Sequence, residues 1–218
     1  MKKNKLDIVY EDKHLLLINK PSNMLTINTS KNEKNLYSEV YNYLHKKNQK
    51  VFIVNRLDKD TSGIVVFAKS EKVKNMLQNS WDKVIRKYIA IVHGKANNYG
   101  IIKSYLKESK SLYTYSTNDK KGKYAVTEYK NVISNNKYSM LEITLKTGRK
   151  NQIRVHMKDN NTPIVGDKKY GIKDDFKNMY LFAYKISFIH PITKEFIDIE
   201  LGIPDKYNEL IKKKISVR

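Results

Sequence analysis

The chain has 218 residues, with 43 Lys+Arg against 22 Asp+Glu and a formal net charge of +21. Apolar residues make up 40%, with 16 Tyr and 6 Phe, which is enough to build a core and too many for a disordered chain. There is no cysteine, which excludes disulfides, thiolate nucleophiles, Cys-ligated zinc and iron–sulfur clusters. The longest apolar runs, such as Ile64–Ala68, fall far short of the roughly 20 residues a membrane span needs. The basic start Met1–Lys5 is not followed by an apolar stretch of signal-peptide length. A soluble, cytoplasmic protein with no membrane partner is expected.

Leu6–Tyr10 and His14–Asn19 read as two strands around the turn Glu11–Lys13. Leu36–Lys47 reads as a helix with Leu36, Val40, Tyr43 and Leu44 on one face. Val51–Val54 and Gly63–Ala68 are short apolar strands separated by the polar loop Asn55–Ser62. Ser70 caps a predicted helix through about Asp82, with Val73, Met76, Leu77 and Trp81 on one side. Lys87–His93 is a strand ending at Gly94. Lys107–Lys123, rich in Ser, Lys, Asn and Asp, reads as a loop. Tyr124–Ile133 and Lys137–Lys146 form a predicted hairpin over Ser134-Asn135-Asn136. Asn151–Lys158 reads as a helix, with Pro163 just beyond it. Leu181–Ile189 and Phe196–Leu201 form a second hairpin, and Asp205–Lys214 a closing helix. Strands outnumber helices and hairpins dominate, which predicts an α+β fold with a mixed, mainly antiparallel sheet and flanking helices. No coiled-coil pattern or long apolar surface stripe appears, so a monomer is expected.

The positive charge points to a polyanion, with nucleic acid the first choice. An A+T-biased genome enriches Lys, Asn, Ile and Tyr without functional cause, but it does not itself create a surplus of positive charge. Against 38 Lys there are only 5 Arg: Arg56, Arg86, Arg149, Arg154 and Arg218. A chain that uses Lys for point charge keeps Arg where a planar fork is needed. Arg56 opens Arg56-Leu57-Asp58, and Arg149 and Arg154 flank Lys150–Ile153.

Asn55–Gly63 is a polar loop between two apolar strands. Asp58 there is a candidate nucleophile or general base kept ionised by Arg56 and Lys59, while Asp, Thr, Ser and Gly equally suit an ordinary turn. Asp58 and Asp60 offer oxygens to Mg²⁺, but two carboxylates one residue apart beside Arg and Lys form a weak ligand set. In Leu145–Met157 a strand ends at Gly148 and a basic helix begins, so Arg149 and Lys150 suit a phosphate. His156 is a candidate base or a satisfied structural histidine. In Arg86–Ala90, alternation sets Tyr88 on the face opposite Ile89. No Walker loop, G-x-G-x-x-G, G-x-S-x-G or metal-ligand histidine spacing is present.

In this order the segments resemble the pseudouridine synthases of the RluA type. The resemblance runs through Ile8–Asp12, Asn19-Lys20-Pro21, Arg56–Gly63, Lys87–Ala90, Gly94 and Ala125–Tyr129. It continues through Thr147-Gly148-Arg149, Gln152–His156, Pro163–Asp167, Tyr170-Gly171, Leu181–Ala183 and His190-Pro191. It implies one catalytic domain over residues 1–218, with two lobes possible, and a catalytic cleft across the sheet. No N-terminal S4-like RNA-binding module is expected to precede it, and RNA choice is expected to come from the catalytic domain. It implies neither cofactor nor metal, and a partner that is structured tRNA or large-subunit rRNA.

The resemblance makes Asp58 the essential aspartate and Arg154 the basic residue that pairs with it. Tyr88 becomes the tyrosine that stacks on the uracil and a candidate to take the C5 proton. Arg56 becomes the arginine that fills the place of the flipped nucleotide. Thr61, Arg149, Lys150 and Gln152 in the same motifs are expected to bind substrate. The implied reaction breaks N1–C1′ of a uridine, turns the uracil and joins C5 to C1′, which requires a flipped base. Asp58 attacks either C1′ or C6, or assists glycosidic cleavage without staying attached; the sequence does not choose. Two positions depart from the family pattern: Asn55 and Asn151 stand where histidine is common. An inert RNA-binding or ribosome-assembly protein on the same fold is the alternative, and a metal-dependent nuclease using Asp58 and Asp60 a third.

Overall fold

The computed structural model describes residues 6–27 and 34–212. In chain order the elements are β1 (Ile8–Glu11), β2 (Leu15–Lys20), α1 (Leu36–His45), β3 (Phe52–Ile53), β4 (Ser62–Ala68), α2 (Glu71–Asn79), β5 (Ile85–His93) and β6 (Tyr99–Glu108). They continue with β7 (Thr114–Thr117), β8 (Lys123–Ser134), β9 (Tyr138–Leu145), α3 (Gln152–Asp159), β10 (Leu181–Ile189), β11 (Phe196–Glu200) and α4 (Asp205–Lys212). The chain forms two compact units, Met1–Ile85 with Lys185–Leu201, and Arg86–Tyr184 with Gly202–Arg218.

In the first unit β2 runs antiparallel to β4, from Leu15 opposite Ala68 to Lys20 opposite Gly63. β1 and β2 are joined by a turn in which Asp12 Oδ1 accepts from the backbone N–H of His14 and Leu15. Leu15 and Leu17 pack with Ile64, Val66, Val73 and Leu77, while Leu16, Ile18, Val65 and Phe67 are buried as well. Burial of alternate residues on both faces explains why these strands read as uninterrupted apolar runs. The helices begin where their caps demand. Asn35 Oδ1 accepts from Ser38 N–H at 3.0 Å, and Ser70 Oγ from Val73 N–H at 3.3 Å. The end of β10 pairs with β11, from Lys185 opposite Glu200 to Ile189 opposite Phe196, and adds Ile186, Phe188 and Ile197 to this core.

In the second unit the strands lie in the order β5-β9-β8-β6-β7, each pair antiparallel. The β8–β9 turn is held by Asn135, whose Oδ1 accepts from Lys137 and Tyr138 N–H. One face of β6 and β8 carries α3, with Leu106, Ala125, Val155 and Tyr170 packed together.

Most expected elements form, and two readings need correction. The Lys107–Lys123 segment is not a loop throughout: its start belongs to β6, its middle holds β7, and its end opens β8. Apolar side chains fall on both faces of β6, at Tyr99, Ile101 and Tyr105 on one and Ile102 and Leu106 on the other, which blurs the period of two. The helix after Ser70 stops at Asn79, because Ser80 Oγ and N–H turn back onto its last carbonyls; Trp81–Lys83 follows as a separate single turn.

Candidate active site

The Asn55–Thr61 loop is fastened along its backbone by side chains from the end of β2 and the segment that follows it. Lys20 Nζ donates to the carbonyls of Pro21, Met24 and Lys59 at 3.0, 2.7 and 3.1 Å. Ser22 Oγ donates to Asp60 C=O at 2.7 Å. Thr26 Oγ1 donates to Leu57 C=O at 2.8 Å and accepts from Leu57 N–H at 3.2 Å. At the start of the loop Asn55 Oδ1 accepts from Val66 N–H at 2.8 Å. Thr61 N–H closes the turn onto Asp58 C=O at 3.2 Å. The result is a rigid turn that displays a half-buried Asp58 beside an exposed Arg56.

Lys20 is wholly buried at 0% exposure. Burial pulls its ammonium down to about 8, while the nearby carboxylates of Asp58 and Asp60 pull it back up. A charged donor under the loop therefore serves two ends: it ties three carbonyls, and it favours the ionised form of Asp58.

In the second unit the turn Thr147–Asn151 delivers the chain into α3. Asn151 sits at φ 55°, ψ 16°, a left-handed conformation asparagine tolerates better than most residues. Its Nδ2 donates to Tyr170 Oη at 3.1 Å, and its Oδ1 accepts from Arg154 Nη1 at 3.1 Å. Arg154 Nε and Nη2 fork onto Asp167 Oδ2 and Oδ1 at 2.8 and 2.7 Å. The guanidinium carbon lies 5.0 Å from the centre of the Tyr170 ring. Asp167 Oδ1 also accepts from Lys169 and Tyr170 N–H. The guanidinium is thus fixed in position and plane by groups of α3 and of the Asp167–Tyr170 turn.

Gln152 is 2% exposed, and its amide is fully engaged inside the unit. Oε1 accepts from Thr147 Oγ1 and Arg149 N–H, and Nε2 donates to Val126 C=O and Thr127 Oγ1. All four hydrogen-bonding positions of the amide are used, and through them Gln152 shapes the turn. Thr61 is likewise buried at 3% exposure. Arg149 and Lys150 are exposed; Arg149 Nε donates to Tyr124 C=O at 3.0 Å, and Lys150 pairs with Glu108.

Tyr88 lies on β5 opposite Ile143, 8% exposed. Two residues before it, Arg86 donates to Leu145 C=O at 3.3 Å and fills the space where a Cβ on Gly148 would stand, 2.7 Å from its Nη1. That explains why the turn before α3 carries glycine there. His156 is fully buried between Thr127 Oγ1, 2.8 Å from Nδ1, and Ser104 Oγ, 3.0 Å from Nε2. Burial pulls it down to about 4, so it is a neutral structural residue.

The loop with Arg56, Asp58 and Thr61 belongs to the first unit; Tyr88, Arg149, Lys150, Gln152 and Arg154 belong to the second, the last four gathered at the start of α3. Sequence reasoning assigned no role to Lys20 or Asp167, although both lie in quoted motifs; a lysine before proline and an aspartate after glycine carry no local sign of burial. Among the described residues no group of three or more His, Asp or Glu is placed to hold a metal ion. No helix among them is long and apolar enough to cross a membrane.

Comparison with known proteins bears on this arrangement directly. A family model described as RNA pseudouridylate synthase matches residues 14–159, a span that includes Asp58, Tyr88 and Arg154. An RNA pseudouridine synthase of Mycoplasma genitalium is 36% identical over 219 residues, covering 95% of this chain and 70% of that one. Ribosomal large subunit pseudouridine synthase C of Rickettsia prowazekii is 36% identical over 206 residues, covering 90% and 68%. The solved structure of human RNA pseudouridylate synthase domain containing 4 superposes with a TM-score of 0.77 at 21% identity, over 92% of this chain and 90% of that one, which shows the shared α+β fold. The chain therefore belongs to the RluA-type RNA pseudouridine synthases, isomerases that act on uridine in RNA.

Proposed function

We propose that the chain isomerises uridine in large-subunit rRNA, with Asp58, Tyr88 and Arg154 as its catalytic residues. The rRNA target is supported by relatives in Rickettsia and Blochmanniella that are named for the large ribosomal subunit; structured tRNA is the second reading. The observation that carries the site assignment is the fastening of the Arg56–Thr61 turn by Lys20, Ser22 and Thr26, which presents one half-buried carboxylate on a rigid loop. A nucleophile or general base that must act on a flipped nucleotide needs such preorganisation. We also propose that residues 1–218 form a single catalytic domain acting as a monomer in the cytoplasm, with neither metal nor cofactor.

In this reading the target uridine leaves its stack and Arg56 occupies its place. Asp58, ionised, attacks C1′ or C6, or assists cleavage of N1–C1′. The detached uracil turns, C5 bonds to C1′, the C5 hydrogen leaves as a proton, and N1 ends protonated, so the product is an isomer of the substrate. Tyr88 stacks on the uracil and is the candidate to take the C5 proton. The family resemblance gives Arg154 the role of the basic residue that keeps Asp58 ionised. Exposed Arg149 supplies phosphate affinity that falls with salt.

Tritium release from RNA carrying [5-³H]uridine tests this, because joining C5 to the ribose expels that hydrogen. Large-subunit rRNA and tRNA transcripts are assayed separately. Release from the rRNA pool, absent with Asp58→Ala while RNA binding stays within a few-fold, is the expected result. Release from tRNA alone supports the second reading, and unchanged release with Asp58→Ala overturns the mechanism.

A further inference from the structure

The side of the second unit's sheet away from α3 plays no part in the site above. Direct strand pairing sets Tyr99, Lys103 and Tyr105 of β6 on one face with Tyr124 and Lys130 of β8, and Tyr115 of β7 beside them. The opposite face is the one α3 covers, where His156, Gln152 and Val155 meet Ser104, Thr127 and Ala125. The tyrosine face is open: Tyr99, Tyr115 and Tyr124 are 57%, 41% and 43% exposed. The rings of Tyr105 and Tyr124 lie 5.3 Å apart.

Charge on this face is one-sided. Its acidic residues are matched, Glu128 by Lys146 at 3.1 Å and Glu142 by Lys87 at 2.9 Å. Lys103 and Lys130 are exposed; Lys130 stands opposite Glu142 on β9 and feels its charge, while Lys103 is in no ion pair among the described residues. Open aromatic rings interleaved with lysines that outnumber the face's carboxylates suit a polyanion that also offers flat π-faces, and a single-stranded nucleic acid does both. A second copy of the chain does not suit the face, because Lys103 and Lys130 would meet their like.

We propose that this face is a second RNA-docking surface, where unpaired nucleotides outside the target uridine stack on Tyr105, Tyr124 and Tyr115 while their phosphates run along Lys103 and Lys130. The inference rests on the RNA-acting reading and adds to it a surface on the side of the sheet opposite α3.

The test is binding of a fluorescein-labelled 20-nucleotide single-stranded oligouridylate to the full chain between 50 and 200 mM KCl. Tyr105→Leu with Tyr124→Leu is expected to weaken binding about five- to ten-fold, and Tyr105→Phe with Tyr124→Phe to retain it, since stacking needs the ring and not the hydroxyl. Lys103→Gln with Lys130→Gln touches only exposed side chains and is expected to lower the salt slope by about one to two. Ultraviolet cross-linking of 5-iodouridine-labelled oligomer is expected to mark Tyr105, Tyr115 or Tyr124. Affinities within two-fold of wild type for both the Leu and Gln pairs, or cross-links confined to other residues, overturn the proposal. So does a wild-type dimer that the Gln pair converts to monomer. Tritium release by the wild-type chain reports on the isomerase reading separately, so the two fail independently.

Discussion

Arg154 and Asp167 form a buried two-pronged ion pair across 13 positions of sequence, with side-chain exposures of 6% and 0%. Asp167 is the partner that fixes the plane of the guanidinium, while Asn151 and the Tyr170 ring fix its remaining freedom. Whatever Arg154 contributes to catalysis depends on that orientation.

Breaking the pair leaves one charge buried and uncompensated, which costs about 3–5 kcal/mol. Asp167→Asn is therefore expected to lower the urea midpoint markedly and to reduce tritium release even in the fraction that stays folded. Arg154→Lys is expected to be no milder, because an ammonium cannot make both prongs. Wild-type release with either variant would remove Asp167 from the account. Equilibrium unfolding together with single-turnover release separates the two effects.

The glycine before Asp167 makes a sharper geometric prediction. Gly166 has φ +76°, and a Cβ there would stand 2.1 Å from the backbone oxygen of Asn178. Gly166→Ala is expected to destabilise the chain by well over ~1 kcal/mol and to disturb Asp167 with it. Thermal unfolding by circular dichroism checks this.

Lys20→Met removes the donor shared by three carbonyls while keeping most of the side-chain length. Hydrogen bonds to charged groups contribute about 1.5–3 kcal/mol each, offset here by relief of a costly burial. The expected net loss is about 2 kcal/mol, with a larger proportional loss of turnover because the Asp58 turn is no longer fastened. A variant with unchanged stability and turnover would show that Ser22 and Thr26 suffice.

His156 gives a pH dependence whose sign follows from burial. Its value drops from 6.5 in the unfolded chain to about 4 in the folded one. Between those values the unfolded chain binds a proton the folded one refuses, so stability is full above about 6.5 and is lost as pH falls toward 4. The total is about 3 kcal/mol. Urea unfolding at pH 7, 6 and 5 is expected to show the decline, and His156→Gln to flatten that part of it.

Much of the fold was legible because its signals are local. Leu36/Val40/Leu44 and Val73/Leu77 mark helices, Ser70 marks the start of the second, and apolar runs at Leu15–Ile18 and Ile64–Ala68 mark strands buried on both faces. β6 and β7 were missed because their signal is a pairing partner and not a pattern: Tyr99 and Ile101 face solvent as openly as Lys103 on the same face. At the site, Asp58 and Arg154 stood out by motif, and the reading of His156 as a satisfied structural histidine agrees with its burial. Lys20 escaped because only tertiary structure shows that a lysine is sealed under a loop.

The path of the chain through its two units also sets an order of events during synthesis. The first unit opens with Met1–Ile85 but is completed by Lys185–Leu201, which brings Ile186, Phe188 and Ile197 to its core. A ribosome adding about 5–20 residues per second leaves this unit short of one hairpin for on the order of ten seconds. Throughout that interval the interior-facing side chains of β4 lack part of their cover, and β5 through β9 are all made before it ends. The nascent chain is then at its most vulnerable to proteases and to self-association, and a ribosome stalled anywhere before Leu201 strands the Arg56–Thr61 turn on an unfinished scaffold.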